Sequence, residues 1–122
     1  MNILIIDDDV FAKKMLGHHL LDMGHTVTTV SNGQEALLHI ERNNNMEVIL
    51  LDLFMPQLSG PSFLLLLSKQ TRKPLPKIVI VSGARDGENL LKDLGIAYDY
   101  YFHKPIDFTL LNIAIEKKKK TA

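Results

Sequence analysis

The sequence predicts an α/β domain, doubly wound, in which a five-stranded parallel sheet carries helices on both faces. Two observations predict this class. Apolar runs of strand length alternate with five helix-like segments, and four of the five runs end in a polar or charged side chain. Alternation of this kind requires crossover connections and therefore parallel strands. At 122 residues, the chain is expected to form one domain over residues 1–122.

The first half of the chain contains three predicted strands and two predicted helices. Residues 2–6 and 46–52 are nearly continuous apolar runs, which is typical of strands buried on both faces. The threonine-rich segment 25–30 indicates a more exposed strand. A helix follows the first strand with Asp9 as its N-cap, and a second helix is predicted over 34–42.

The second half adds two strands and three helices. Pro61 favours the start of a helix, because proline suits the first helical turn. Residues 77–82 form a fourth buried strand, 86–94 a short helix, and 99–103 an aromatic strand. A final helix is expected to end in the lysine run 117–120, with its charges in solvent.

The composition limits the classes of partner. The 14 basic and 14 acidic side chains cancel, so nothing in the charge favours nucleic acid or an anionic membrane as a direct partner. Because cysteine is absent, disulfides, thiolate catalysis and zinc–thiolate sites are excluded. The longest apolar run, 63–67, is too short to span a bilayer, and the start lacks a basic signal region. We therefore expect a cytoplasmic protein.

Chemically useful side chains follow four of the five predicted strands. They are Asp7 and Asp8 after the first strand, Asp52 after the third, Ser82 after the fourth and Lys104 after the fifth. The carboxyl ends of parallel strands border one crevice, so these groups are expected to meet. Carboxylates about 5 Å apart repel each other by roughly 3 kcal/mol at an effective dielectric constant near 20. A hard divalent cation, Mg²⁺ or in its place Mn²⁺, would offset this repulsion.

Such a crevice suits phosphoryl transfer. With a cation bound, the Asp52 carboxylate can attack a phosphoryl group and form an acyl phosphate, while Lys104 and Ser82 hold the oxygens. Each residue alone has a plainer interpretation, since aspartates after strands are commonly helix caps, a serine there forms turns and a lysine is usually solvated. The coincidence at four strand ends favours the functional interpretation.

The chain resembles, along essentially its whole length, the receiver domain of two-component response regulators, of the single-domain chemotaxis-regulator kind. The matching motifs are Asp-Asp after the first strand, Leu-Asp-Leu-Phe-Met-Pro with a glycine eight residues after Asp52, Ser-Gly at 82–83 and Lys-Pro at 104–105. The resemblance implies a flavodoxin-like fold with strand order 2-1-3-4-5.

The resemblance also implies the acceptor and the metal ligands. Asp52 would take a phosphoryl group from a histidine of a sensor kinase or a histidine phosphotransfer protein. Asp8, Asp52 and the backbone carbonyl of Phe54 would hold Mg²⁺, and Asp7 would act mainly through water. A signalling module is implied rather than an enzyme, although Mg²⁺ would support phosphorylation and slow dephosphorylation of Asp52 itself.

A switch is implied as well. Ser82 and Lys104 would hold the phosphoryl oxygens, and Tyr101 would turn inward when Ser82 moves. The surface formed by the fourth helix, fifth strand and fifth helix would then change between two packings. The downstream partner stays open.

Two features depart from the family pattern. Phe54 and Ala84 stand at positions beside the acceptor that are often polar, so they are expected to modulate the rate of dephosphorylation; the alternative is that Phe54 lies flat on the surface. The third helix is apolar all round, so Leu65 and Leu66 should be partly exposed. They form either a candidate protein interface or a pair of tolerated surface leucines.

Two other functions share features with the signalling module. An aspartyl-phosphate phosphohydrolase resembles this site, but such enzymes usually carry a second acid two residues after the nucleophile, where Phe54 stands. A flavodoxin-like cofactor binder would need a phosphate-binding loop after the first strand. Three aspartates stand there instead and would repel phosphate.

Overall fold

The computed structural model of the chain describes residues 1–55, 58–70, 75–117 and 119–120. Within them, five strands and five helices alternate: β1 Asn2–Ile6, α1 Val10–Asp22, β2 Thr26–Val30, α2 Gly33–Arg42, β3 Val48–Leu51, α3 Gly60–Ser68, β4 Lys77–Ser82, α4 Gly87–Asp93, β5 Tyr100–His103 and α5 Phe108–Glu116. Pro56 of the Leu-Asp-Leu-Phe-Met-Pro motif and residue 118 of the lysine run lie outside the described residues.

The sheet is parallel throughout, with the strand order β2-β1-β3-β4-β5. The predicted doubly wound, flavodoxin-like architecture and its strand order are confirmed. β1, β3 and β4 are buried, whereas β2 at one edge is largely half-exposed, as its threonines predict. Central strands of a sheet covered on both faces must be apolar on both faces, which explains the continuous runs.

Alternate side chains of the central strands face two separate cores. One core contains Leu4, Ile49 and Leu51 together with residues of α2, α3 and α4. The other contains Ile3 and Leu50 together with residues of α1 and α5. Helices α1 and α5 therefore cover one face of the sheet, and α2, α3 and α4 cover the other.

The first helix begins where the sequence predicts. The Asp9 carboxylate accepts hydrogen bonds from the backbone N–H groups of Phe11, at 2.9 Å, and Ala12, at 3.3 Å. These are two of the donors that the first turn of a helix cannot satisfy internally. Asp9 is thus confirmed as the N-cap of α1.

The prediction that the lysine run is a solvated helix end is only partly correct, because Lys117 and Lys120 are exposed but Lys119 is half-buried and paired. α5 ends at Glu116, and Lys117 is its C-cap. Lys119 pairs with the buried Asp99 at 3.1 Å, and the backbone N–H of Lys120 donates to the same carboxylate at 2.7 Å. The Lys120 ammonium lies 4.3 Å from the centroid of the Tyr100 ring. The physical reason is that Asp99 is buried and requires partners, which this segment supplies.

A buried lysine secures the end of α5. The Lys77 ammonium donates to the carbonyl of Ala114 at 2.9 Å and also to the carbonyls of Ile115 and Lys117. Burial lowers the pKa of Lys77, and the nearby Asp99 opposes that shift. The last carbonyls of a helix have no partner inside the helix, and a cation there is favourable. Lys77 therefore ties the end of α5 to the start of β4.

Helix α3 is apolar on its outer side as well as its inner side. Phe63, Leu64 and Leu67 are buried, while Leu65 and Leu66 are each 44% exposed, as predicted. Their role as an interface stays a prediction. None of the helices in the described part of the chain has the length and apolar character needed to cross a membrane.

Replacing Asp99 by alanine is expected to lower the free energy of unfolding by about 2 to 4 kcal/mol. The substitution removes the acceptor of the buried Ile78 N–H, at 2.8 Å, as well as the partner of Lys119. Urea unfolding followed by circular dichroism would measure the loss. The matched control is Asp93→Ala on the exposed side of α4, which should change stability by less than about 0.5 kcal/mol. Equal effects of the two substitutions would contradict this account of the lysine segment.

Candidate functional site

Strand pairing brings the predicted site residues to one edge of the sheet. Ile6 lies beside Leu51, and the pairing continues one residue further, where the Asp52 N–H donates to the Ile6 carbonyl at 2.9 Å. On the other side, the Lys104 N–H donates to the Ser82 carbonyl at 2.9 Å. The residues that follow β1, β3, β4 and β5 are therefore held by backbone hydrogen bonds at the carboxyl edge, where open α/β sheets form their crevices.

Three carboxylates meet at this edge. One oxygen each from Asp7, Asp8 and Asp52 lies within 4.8 Å of the others. Asp7 is 3% exposed, Asp52 is half-buried and Asp8 is exposed. Asp7 also has a structural role. Its carboxylate accepts a hydrogen bond from the backbone N–H of Asp9 at 2.9 Å, which shapes the turn into α1. Asp7, Asp8 and Asp52 are here called the acidic cluster.

In the described part of the chain, one ammonium group, that of Lys104, faces the acidic cluster. The Lys104 nitrogen lies 3.3 Å from a carboxylate oxygen of Asp7, and its side chain is 34% exposed. A single positive charge cannot neutralise three carboxylates, so the cluster keeps excess negative charge. A cation or a positively charged donor group would be attracted to it.

The environment of Asp52 makes its carboxyl group unusually basic. Burial is the largest cause, the charge of Asp7 adds to it, and Lys104 partly opposes both. Together they raise the pKa of Asp52 from 3.8 to about 6. The group is still ionised at neutral pH, and it binds a proton more readily than an ordinary aspartate does.

The loop after β3 explains the glycine in the motif. The Gly60 N–H donates to the Leu53 carbonyl at 2.8 Å, and a Cβ atom at Gly60 would lie only 2.6 Å from the Leu53 Cα atom. No other residue fits at such a close approach between two backbone segments. Leu53 and Met55 point into the core, and Phe54 between them is 51% exposed. Its ring therefore lies on the surface side of the loop that carries Asp52.

Ser82 is held in place at the end of β4. It is 1% exposed, and its hydroxyl oxygen accepts the backbone N–H of Ala84 at 3.2 Å. A serine hydroxyl that accepts one bond still has its own proton to donate. Ala84 is half-buried beside it and has no polar side chain.

Tyr101 lies on β5 opposite Ile80, with its ring directed toward the core of α2, α3 and α4. Its hydroxyl oxygen is buried and has no hydrogen-bond partner among the described residues. Burial raises the pKa of Tyr101, and the nearby Ser82 hydroxyl opposes that shift without meeting the geometry of a hydrogen bond. Sequence reasoning missed Gly87, which lies against this hydroxyl. The pair Asp-Gly at 86–87 indicated only the start of a helix.

Comparison with known proteins places the chain among regulators. The family model described as the response regulator receiver domain matches residues 3–116. A response regulatory protein of Vibrio parahaemolyticus is 33% identical over 119 residues, which cover 96% of this chain and 47% of that protein. The chain spans less than half the length of the curated relatives it matches.

Solved structures agree with this placement. A response regulator receiver domain protein from Clostridium thermocellum is 31% identical, with a TM-score of 0.82 and coverage of 93% of this chain and 90% of that chain. A response regulator receiver protein from Pseudomonas putida has a TM-score of 0.87 and covers 96% of both chains at 23% identity, so it supports the fold alone. The chain therefore belongs to the response regulator receiver domain family, whose members are phosphoacceptor signalling modules of two-component systems rather than enzymes in their own right.

Proposed function

We propose that residues 1–122 work as one receiver domain in the cytoplasm, and that Asp52 accepts a phosphoryl group from a histidine of a sensor kinase or a histidine phosphotransfer protein. One observation carries the proposal. The Asp52 carboxylate lies within 4.8 Å of the Asp7 and Asp8 carboxylates, and the Lys104 ammonium contacts Asp7, although Asp52 and Lys104 are far from the other two residues in sequence. Membership of the receiver family supports the same role.

The transfer uses the ionised form of Asp52. A carboxylate oxygen attacks the phosphorus atom, a P–O bond forms, and the P–N bond to the donor imidazole breaks with its electron pair on nitrogen. With a pKa of about 6, Asp52 is ionised at neutral pH and more basic than a surface aspartate. Burial thus favours the nucleophile without protonating it.

The acidic cluster fits a hard divalent cation. Receiver domains generally bind Mg²⁺ at such a cluster, and the donors here are carboxylate oxygens close enough to share one ion. Asp8, Asp52 and the Phe54 carbonyl would hold Mg²⁺, or Mn²⁺ in its place, with Asp7 acting mainly through water. When bound, the ion supplies positive charge that offsets the repulsion between the carboxylates and the incoming phosphoryl oxygens.

Lys104 and Ser82 are proposed to hold the phosphoryl oxygens. Lys104 pairs with Asp7 through a long, partly exposed side chain, so its ammonium has freedom to move toward a new anion. Ser82 keeps a hydroxyl proton to donate, because its oxygen accepts from Ala84. Loss of the Lys104–Asp7 pair and movement of Ser82 would carry the event to Tyr101 and the surface of α4, β5 and α5.

The lifetime of the acyl phosphate is proposed to depend on Phe54 and Ala84. Neither side chain can orient an attacking water molecule by hydrogen bonding. The Phe54 ring is half-exposed on the loop that carries Asp52, and Ala84 lies beside Ser82. The acyl phosphate would therefore be hydrolysed slowly, and a long-lived phosphorylated state suits signalling rather than repeated enzymatic turnover.

Incubation with phosphoramidate and Mg²⁺ is expected to add one phosphoryl group to Asp52. Because the product is an acyl phosphate, mass spectrometry should find an acid-stable adduct that hydroxylamine removes. Chelation of Mg²⁺ should abolish the reaction, and the Asp22→Ala control, at an exposed residue of α1, should react like the parent. Absence of any adduct, or an adduct that survives in Asp52→Ala, would sink the proposal.

Asp52→Asn is expected to stabilise the metal-free protein at pH 8 by about 1 to 2 kcal/mol, since solvent screens part of the roughly 1.4 kcal/mol that each pKa unit represents. The folded pKa of about 6 lies above the ordinary 3.8, so ionisation costs stability in full above pH 6, and the cost disappears as the pH falls toward 4.

Urea unfolding in EDTA at pH 8 and pH 4 would measure the difference, with Asp22→Asn as the exposed control. Saturating Mg²⁺ should stabilise the parent and narrow the gap at pH 8. An Asp52→Asn protein that is less stable than the parent at pH 8 in EDTA would contradict this account of the acidic cluster.

Phe54→Asn is expected to speed dephosphorylation by roughly threefold to tenfold, because an amide can orient water where a ring cannot, and about 1 kcal/mol of barrier is at stake. Loss of the adduct after gel filtration would be followed by mass spectrometry. The control is Leu38→Asn on α2, where the exposed fraction of the side chain is the same 51%. If Phe54→Asn leaves the dephosphorylation rate unchanged, the proposal is wrong, and Phe54 lies flat on the surface without affecting hydrolysis.

A further inference from the structure

The Tyr101 hydroxyl occupies a slot that exists because residue 87 is glycine. A Cβ atom at Gly87 would lie 2.2 Å from the Tyr101 oxygen, 3.3 Å from its Cζ atom and 2.8 Å from Leu53 Cδ1. Carbon and oxygen atoms that are not bonded do not approach to 2.2 Å. Any other residue at position 87 would therefore require the Tyr101 ring or the start of α4 to move.

Packing, and not a hydrogen bond, holds the ring in this slot. The Tyr101 oxygen is buried, and no group among the described residues meets the geometry of a hydrogen bond with it, although the Ser82 hydroxyl is nearby. The ring instead contacts two other rings: the Tyr98 centroid is 5.9 Å away in an edge-on arrangement, and the His103 centroid is 5.1 Å away. Aromatic pairs at these separations attract each other.

The same contacts join β5 to the start of α4. Gly87 is the first residue of α4 and contacts Tyr101. The carboxylate of the next residue, Glu88, accepts a hydrogen bond from the Tyr98 hydroxyl, with 3.0 Å between the two oxygen atoms. Two consecutive residues of α4, Gly87 and Glu88, thus contact Tyr101 and Tyr98. The position of Tyr101 and the position of α4 are set together.

We infer that Gly87 is a positioning residue, because the absence of a side chain there leaves the space in which Tyr101 lies inward before Asp52 is phosphorylated. The inference rests on the proposed role of Tyr101 as the residue that reports the state of Asp52. Movement of Ser82 is then not needed to open space for the ring, because the space is already present above Gly87. The surface of α4 and β5 therefore already has the conformation that an inward Tyr101 gives it. Phosphorylation changes this surface less than it would if residue 87 carried a side chain.

The test follows the exposure of Tyr101 directly. The full chain is labelled with 3-fluorotyrosine, and the Tyr101 resonance is identified by its loss in Tyr101→Phe. Without phosphate donor or metal, the parent resonance should show little ¹⁹F solvent isotope shift between H₂O and D₂O. In Gly87→Ala the ratio of inward to outward ring should fall by about tenfold or more, so the resonance should show the shift of an exposed tyrosine.

The matched control is Gly83→Ala in the same β4–α4 loop. The nearest atom to a Cβ there is the flexible Lys104 Cδ at 4.0 Å, which is an ordinary contact. Its Tyr101 resonance should stay shielded. An exposed Tyr101 in the parent, a shielded Tyr101 in Gly87→Ala, or equal exposure in Gly83→Ala would each overturn the inference.

A second measurement covers the case in which Gly87→Ala does not fold. The Tyr101→Phe background removes the oxygen that clashes and leaves the ring, so Gly87→Ala should lower the urea midpoint far less there than in the parent. An equal loss in both backgrounds would overturn the inference, because the clash with the hydroxyl would then not be the cause.

The two proposals fail separately. Ring exposure and the stability comparison are measured without a phosphate donor. Their results therefore do not depend on whether Asp52 accepts a phosphoryl group. Adding phosphoramidate and Mg²⁺ then tests the link. The Tyr101 resonance should change in Gly87→Ala and change little in the parent, and a large change in the parent would show that the ring was not preset.

Discussion

The charge repulsion inside the acidic cluster is the constraint on which the functional edge of this domain depends. β1 and β3 are buried on both faces, so their carboxylates can stand only where the strands end. Parallel pairing then places those ends side by side, and among the described residues a single ammonium, that of Lys104, faces three acids. Burial is the largest cause of the raised pKa of Asp52, and the negative charge of Asp7 adds to it. Binding a cation and accepting a phosphoryl group under its influence are the responses that this arrangement favours.

The opposite edge of the sheet is built in the contrary way. There the buried Lys77 and Asp99 are supplied with partners from the end of α5 and the segment that follows it. Buried charges that are paired and hydrogen-bonded fix a structure without leaving a site that demands a ligand. At the carboxyl ends of the strands, the negative charges thus exceed the positive ones. At the amino ends, the buried charges are paired and hold α5 in place.

Further features of this chain lie on β5 and at the start of α4. The motif residues Asp52, Ser82 and Lys104 are those expected of any receiver domain. The fit of Tyr101 over Gly87 and the hydrogen bond from Tyr98 to Glu88 lie outside those motifs. They bear on how far the unphosphorylated state already resembles the switched one, which the motif residues do not decide.

The sequence by itself determined the strands, their ends and the acidic cluster, because apolar runs and the residues that follow them are local signals that parallel topology converts into neighbours. It also determined the Asp9 cap and the exposure of Leu65 and Leu66. The path of the lysine segment was decided only by tertiary structure, since a charge run looks solvated until the burial of Asp99 is known. The Gly87 slot was decided there too, because it depends on a side-chain direction and a helix position that no local pattern contains.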